Sequence, residues 1–143
     1  MIAIDTNVLL HYLLADDDAQ YKKARSLIEG KMPVLITDVV LAETVWTLTG
    51  KRYKLNKSSI CEVLLGLISD SVFTFENSQV IWSARMDYQD SKPVRSKTLD
   101  FADALITHKA HYVANIAGLE LDGFYNFDKA LEQLKGAKTP GLK

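Results

Sequence analysis

The sequence predicts an α/β protein built on a parallel sheet with helices on both faces. Three observations carry that prediction. Short apolar runs of strand length recur at 2–4, 33–37, 72–75 and 121–128. Longer segments with helix-capping residues separate them, which is how strands joined by helical crossovers read in a sequence. A chain of 143 residues, 48% of them hydrophobic, is long enough to bury a core without disulfides or metal staples.

Ile2-Ala3-Ile4 is the first strand, ended by Asp5-Thr6-Asn7. Thr6 or Asn7 is expected to cap the helix Val8–Leu14, since a short side-chain oxygen accepts an orphan backbone N–H. Asp16-Asp17-Asp18 opens a second helix with Ala19, Ala24, Leu27 and Ile28 apolar, and the three carboxylates favour its positive end. Pro33–Thr37 reads as a buried strand. A strongly apolar helix follows from Asp38 to about Gly50, which stops it. Ser59-Ile60-Cys61-Glu62 has the form of a capping box and opens a helix to about Ser69. Val72–Phe75 is the third strand, and a helix runs from about Asn77 to Tyr88. The polar loop 90–97 leads to a helix around Asp100–Ala114, and 121–128 is the last strand. With 3 Pro, 7 Gly and no linker-like stretch, one domain over 1–135 is expected, followed by a C-terminal tail over 136–143.

Lys and Arg total 17 against 18 Asp and Glu, a formal charge of −1. That balance excludes a uniformly basic nucleic-acid binder, and the apolar content excludes an acidic disordered chain. A single cysteine, Cys61, permits neither an internal disulfide nor a CxxC metal knuckle. No apolar run of about 20 residues exists and the opening residues lack a signal-peptide pattern, so a cytoplasmic protein without a membrane span is expected.

In parallel sheets ligands bind at the carboxyl ends of strands, where Asp5 and Asp128 fall. Taken alone, Asp5 reads as a turn or cap residue and Asp128 as a helix start. Glu43 lies among Val39, Val40, Trp46 and Leu48, and shares a helical face with Val39 and Trp46. A carboxylate on a face built for burial needs an internal Arg, a helix N-terminus or a bound cation to compensate it. Asp100 and Asp103 stand i, i+3; Asp100 suits a cap, while Asp103, beside Ala102, Ala104 and Leu105, is expected in a crowded place. Carboxylates from different elements gathered at one sheet edge repel unless cations hold them. Hard oxygen ligands suit Mg²⁺ or Mn²⁺, and two such ions about 4 Å apart activate water for phosphodiester cleavage.

Met1-Ile2-Ala3-Ile4-Asp5-Thr6-Asn7-Val8-Leu9-Leu10 resembles the opening of PIN domains, particularly the VapC-type ribonuclease toxins. Leu41-Ala42-Glu43-Thr44-Val45-Trp46 resembles their second acidic motif, Asp100–Ile106 the third and Tyr125-Asn126-Phe127-Asp128-Lys129 the fourth. The motifs come in the family's order and span 1 to about 135. The resemblance implies a three-layer α/β/α sandwich around a central, mostly parallel sheet of four to five strands. It implies a Mg²⁺- or Mn²⁺-dependent endoribonuclease, the toxin of a toxin–antitoxin pair, in which Asp5, Glu43, Asp103 and Asp128 hold one or two ions. Asp100 is then an accompanying acid and Asn7 a polar neighbour of the site. Asn126 stands where Thr or Ser is usual; it keeps an oxygen able to accept or ligate, but leaves the second ion in question. An antitoxin partner and a homodimer are implied too, with 39–48 and 60–68 as apolar helices suited to either.

An RNA substrate needs cations near the acids. Lys51, Arg52, Lys54 and Lys57 follow the Glu43 helix, and Lys92, Arg95 and Lys97 precede Asp100. Tyr53 among them suits base stacking or packing. His11, His108 and His111 form no convincing zinc set, and Trp46 and Trp82 are expected as core or interface anchors. Two other functions fit parts of the pattern. A haloacid-dehalogenase-like phosphatase needs an acid two residues after Asp5, where Asn7 stands. A catalytically inactive binding module would keep the acids for structure or docking. Setting the five site acids aside leaves a formal +4 on the rest of the chain.

Overall fold

A computed structural model describes residues 1–141, and the chain divides into two compact units. The first, Met1–Ser78, runs β1 (Ile2–Ala3), α1 (Thr6–Leu14), α2 (Asp18–Ile28), β2 (Val34–Ile36), α3 (Asp38–Thr49), α4 (Lys57–Ser69), β3 (Phe73–Phe75). Its strands form a parallel sheet in the order β1-β2-β3, with Ile2 opposite Val34 and Val34 opposite Phe73. Two helices connect each successive pair, as parallel strands require a long crossover.

The second unit begins at Gln79. It holds most of α5 (Ser78–Asp90), α6 (Phe101–Ile116), β4 (Phe124–Tyr125), a 3₁₀ turn over Lys129–Gln133, and β5 (Ala137–Lys138). β4 and β5 pair in parallel as a separate ladder, Phe124 opposite Ala137. The α/β class with a parallel sheet is therefore as predicted. The strands, however, form ladders of three and two instead of one sheet of four to five. Only two residues of the run 121–128 are extended and paired, because Asn126 and Asp128 turn the chain into the 3₁₀ helix. Ala137–Lys138 is a strand where a tail is expected, entered through Gly136 in the left-handed region (φ 78°). Leu142 and Lys143 of that expected tail lie outside the described residues.

Val34, Ile36, Phe73 and Phe75 alternate inward along their strands, as a pleat with period two dictates. Leu9, Ile28, Ile60 and Leu64 bury from the helices. Each such side chain contributes about 1.5–3 kcal/mol by leaving water. On α3 the buried set is Leu41, Thr44, Val45 and Leu48, the i, i+3, i+4, i+7 stripe. Val39 (67% exposed) and Trp46 (75%) lie on the open side with Glu43, which overturns the expected burial of that face and the reading of Trp46 as a core residue. A helix packed along one stripe must leave its other residues out, however apolar they are.

The caps also differ from expectation. Asp5, not Thr6 or Asn7, caps α1: it is the last extended residue (φ −90°, ψ 177°), and its carboxylate accepts from the Val8 N–H at 2.9 Å. Asn56 caps α4 through the Ser59 N–H, so Ser59 and Lys57 lie inside the helix. In the second unit, Val80, Ile81, Ala84 and Tyr88 of α5 are buried, and Tyr88 meets Phe101 of α6 edge-on at 6.1 Å.

Candidate nuclease site

In the first unit the start of α1 carries Asp5 and the middle of α3 carries Glu43. The Asp5 carboxylate spends Oδ1 on the α1 cap. The next residue, Thr6, donates its hydroxyl to Glu43 Oε2 at 2.8 Å, fastening the first turn of α1 to the middle of α3. Glu43 is exposed, so the argument that burial demands a compensating cation fails. What replaces it is geometry. Asp5 Oδ2 and Glu43 Oε1 have no protein hydrogen-bond donor among the described residues, and both belong to side chains fixed through their other oxygen. Asn7, also exposed, lies beside Asp5 on the rim of a hollow between α1 and α2.

In the second unit Asp100 precedes α6, and its backbone N–H donates to Asp103 Oδ2 at 3.1 Å. Asp103 is half-buried, as its small neighbours imply. Burial pushes its carboxyl above the ordinary Asp value, and the charges of Asp100 and Asp128 push the same way, against the Asp100 N–H bond. Asp128 Oδ1 accepts from the Ala130 N–H at 2.9 Å, and Asn126 Oδ1 accepts from the Asp128 N–H at 3.0 Å. Asn126 thus sets the backbone of the acid two residues on, an Asx-turn role its amide suits.

The sequence-predicted acids accordingly appear as two sets, Asp5 with Glu43 and Asp100 with Asp103 and Asp128. Among the described residues, no three His, Cys, Asp or Glu side chains form a ready-made metal centre. The donor chemistry still fits a hard divalent ion: all candidates are carboxylates, and Mg²⁺ keeps several waters and takes only one or two carboxylates at a time.

Of the expected RNA-binding cations, Lys51, Arg52 and Lys54 lie in the turn after α3, and Lys57 opens α4. Arg52 stacks over Tyr53 (5.1 Å to the centroid) and approaches Asp16 at 3.7 Å, while the Tyr53 hydroxyl donates to the same carboxylate at 3.3 Å. Tyr53 is thereby held in place. Lys92 exchanges two backbone hydrogen bonds with the Gln133 side chain, both at 3.0 Å. Arg95 and Ser96 both take positive φ (52° and 67°) at the tip of a tight turn closed by Val94 and Lys97. Non-glycine residues there are strained, and the turn lifts Arg95 to the surface.

Sequence reasoning passed over Thr6 as more than a cap, because its bond to Glu43 crosses 37 residues. It also passed over Asp87, whose carboxylate engages His108 Nε2 at 2.6 Å, while His111 Nε2 meets the Lys135 carbonyl at 3.1 Å.

The PIN domain family matches the sequence over residues 2–116. The chain belongs to the PIN domain family. No curated protein and no solved structure matches it. PIN domains are typically nucleases and commonly use Mg²⁺ or Mn²⁺, and membership of the family supports reading this chain as a nuclease. Asp5, Glu43, Asp100 and Asp103 lie inside the matched span; Asp128 lies beyond it and joins the set through its charge on Asp103. Among the described residues, no helix of this PIN domain is long and apolar enough to cross a membrane.

Proposed function

We propose that this PIN domain is a cytoplasmic, Mg²⁺- or Mn²⁺-dependent endoribonuclease of VapC type, the toxin of a toxin–antitoxin pair. The observation that carries the reading is the family match over residues that include Asp5, Glu43 and Asp103, each with its carboxylate engaged by a hydrogen bond: Asp5 at the start of α1, Asp103 in the first turn of α6, and Glu43 in the middle of α3 through Thr6. Asp5, Glu43, Asp103 and Asp128 are the metal-holding acids, with Asp100 as an auxiliary. A bound divalent ion supplies an acidified water and neutralises the leaving oxygen of the phosphodiester. The protein's own part is to hold carboxylates ready: Thr6 orients Glu43, the α1 cap orients Asp5, and Asn126 orients Asp128. Lys51, Arg52, Lys54, Lys57, Lys92, Arg95 and Lys97 grip the RNA backbone.

Exposed Val39 and Trp46, i and i+7 on one face of α3, support a protein partner, either the antitoxin or a second copy. Solution mass and co-purification of the neighbouring gene product test that part. For the activity, total cellular RNA is incubated with wild type and Asp5→Asn, with Mg²⁺ or Mn²⁺ and with chelator. Cleavage that needs the ion and disappears in Asp5→Asn is the expected result. Equal cutting by the variant, or in excess chelator, overturns the reading. Binding of RNA without cutting under every condition points to the inactive binding module.

A further inference from the structure

We propose that the hollow between α1 and α2 is a nucleobase pocket that selects the nucleotide beside the cleaved bond, a step that rests on the ribonuclease reading and extends it. The hollow holds about 440 Å³, within the usual range for small-molecule sites. Asp5, Asn7 and His11 line one side; Gln20, Lys23 and Leu27 line the other.

The positions follow from two helical faces. Asn7 and His11 are i, i+4 on α1; Gln20, Lys23 and Leu27 are i, i+3, i+7 on α2. Tyr12 stacks on Tyr21 (6.5 Å between centroids) and packs edge-on against Phe73 of β3 (6.2 Å), so the two helices stand fixed and the hollow is preformed.

The cations of α2 single out this face. Lys22 pairs with Asp18 at 3.0 Å and Arg25 with Glu29 at 2.8 Å. Lys23 alone among them has no acid partner among the described residues, and it is the one that lines the hollow. The Asn7 and Gln20 side-chain amides likewise have no protein partner among the described residues. Two such amides, each a donor and an acceptor, match the edge of an unstacked base, which is how single-stranded RNA is read. Ala24 and Leu27 supply an apolar wall for its face. Lys23 suits the adjoining phosphate, and Asp5 on the rim keeps that phosphodiester beside the proposed catalytic acids. The neighbouring hollow, of about 410 Å³, shares Asn7 and His11, but its cation, Arg52, already approaches Asp16 at 3.7 Å, and Asp17 adds a second acid.

The test maps cut sites in a randomised RNA pool with Mn²⁺, using the full chain as wild type, Gln20→Ala, Lys23→Ala and, as a control on a paired cation, Lys22→Ala. Wild type is expected to prefer one base at one position by about tenfold. Gln20→Ala should flatten that preference to about threefold or less. Lys23→Ala should keep the preference while raising KM several-fold and lowering the salt slope by about one. Lys22→Ala should match wild type. In parallel, the four nucleoside 5′-monophosphates are titrated into metal-free wild type and followed by amide shifts at Asn7, Gln20 and Lys23. Cutting with an unchanged preference and KM in both pocket variants, and no shifts, overturns the pocket and leaves the ribonuclease reading standing. Base-selective shifts at those amides with no RNA cutting support the pocket and overturn the ribonuclease reading. Neither shifts nor cutting overturns both.

Discussion

Asp5 has two duties that substitution separates. Its carboxylate caps α1 and, on the proposed reading, holds the divalent ion. Asn is as good a cap as Asp, whereas Ala removes the acceptor and costs about 1 kcal/mol. Asp5→Asn should therefore melt within about 1 °C of wild type and Asp5→Ala about 2–4 °C lower, while neither cuts RNA; calorimetry and a cleavage assay on the same preparations check this. Asp103 behaves differently. Burial first, then the charges of Asp100 and Asp128, raise its carboxyl above the ordinary value, so the fold binds that proton more tightly than the unfolded chain does. Stability from this group is therefore fully present below about pH 3.9, the ordinary Asp value, and is lost as pH rises through the raised value. Asp103→Asn keeps an oxygen for the Asp100 N–H and carries no charge. In chelator its melting temperature should exceed that of wild type at pH 7 and converge with it toward pH 3.5. A gap that does not narrow on acidification rules out charge as the cause.

At the scale of elements, α3 shows how one helix divides its labour. Leu41 is 1% exposed at the start of the packed stripe, and Trp46, five residues on, is 75% exposed. Leu41→Ala should cost about 2–5 kcal/mol through a cavity, while Trp46→Ala should shift monomer stability by about 0.5 kcal/mol or less. Denaturant melts of the two variants settle which face is inside. If Trp46→Ala proves the more damaging, the face assignment is wrong. The same helix explains why Glu43 can be exposed and yet ordered. Thr6 reaches it from α1, and the buried stripe keeps the backbone beneath it still.

For the whole molecule, near-neutral charge conceals an uneven distribution of charge along the sequence. The 18 acids include five assigned to the proposed metal centre, while seven cations cluster in two stretches beside the motifs that carry Glu43 and Asp100. RNA affinity in chelator should therefore fall steeply with salt despite a formal charge of −1. Replacing Lys51 and Lys54 together by Ala should lower the slope of log K against log salt by about two, equally for RNAs of different sequence. A slope that stays put places the RNA elsewhere.

β5, the 3₁₀ turn and the Asn56 cap of α4 were not legible in the sequence, whereas the order and type of the elements from β1 to α6 and the acids of the family motifs were. Those signals are local: hydrophobic period, turn residues and spacings within four or five positions. Even there, the choice among Asp5, Thr6 and Asn7 as the α1 cap was not legible, because it depends on which residue is the last extended one. Tertiary structure alone decided that Val39, Glu43 and Trp46 face outward, that Thr6 holds Glu43, that the strands pair as three and two, and that Lys23 lines a hollow without an ion pair among the described residues. Each depends on which side of an element another element covers, and a helical or strand period states that a face exists without stating what meets it.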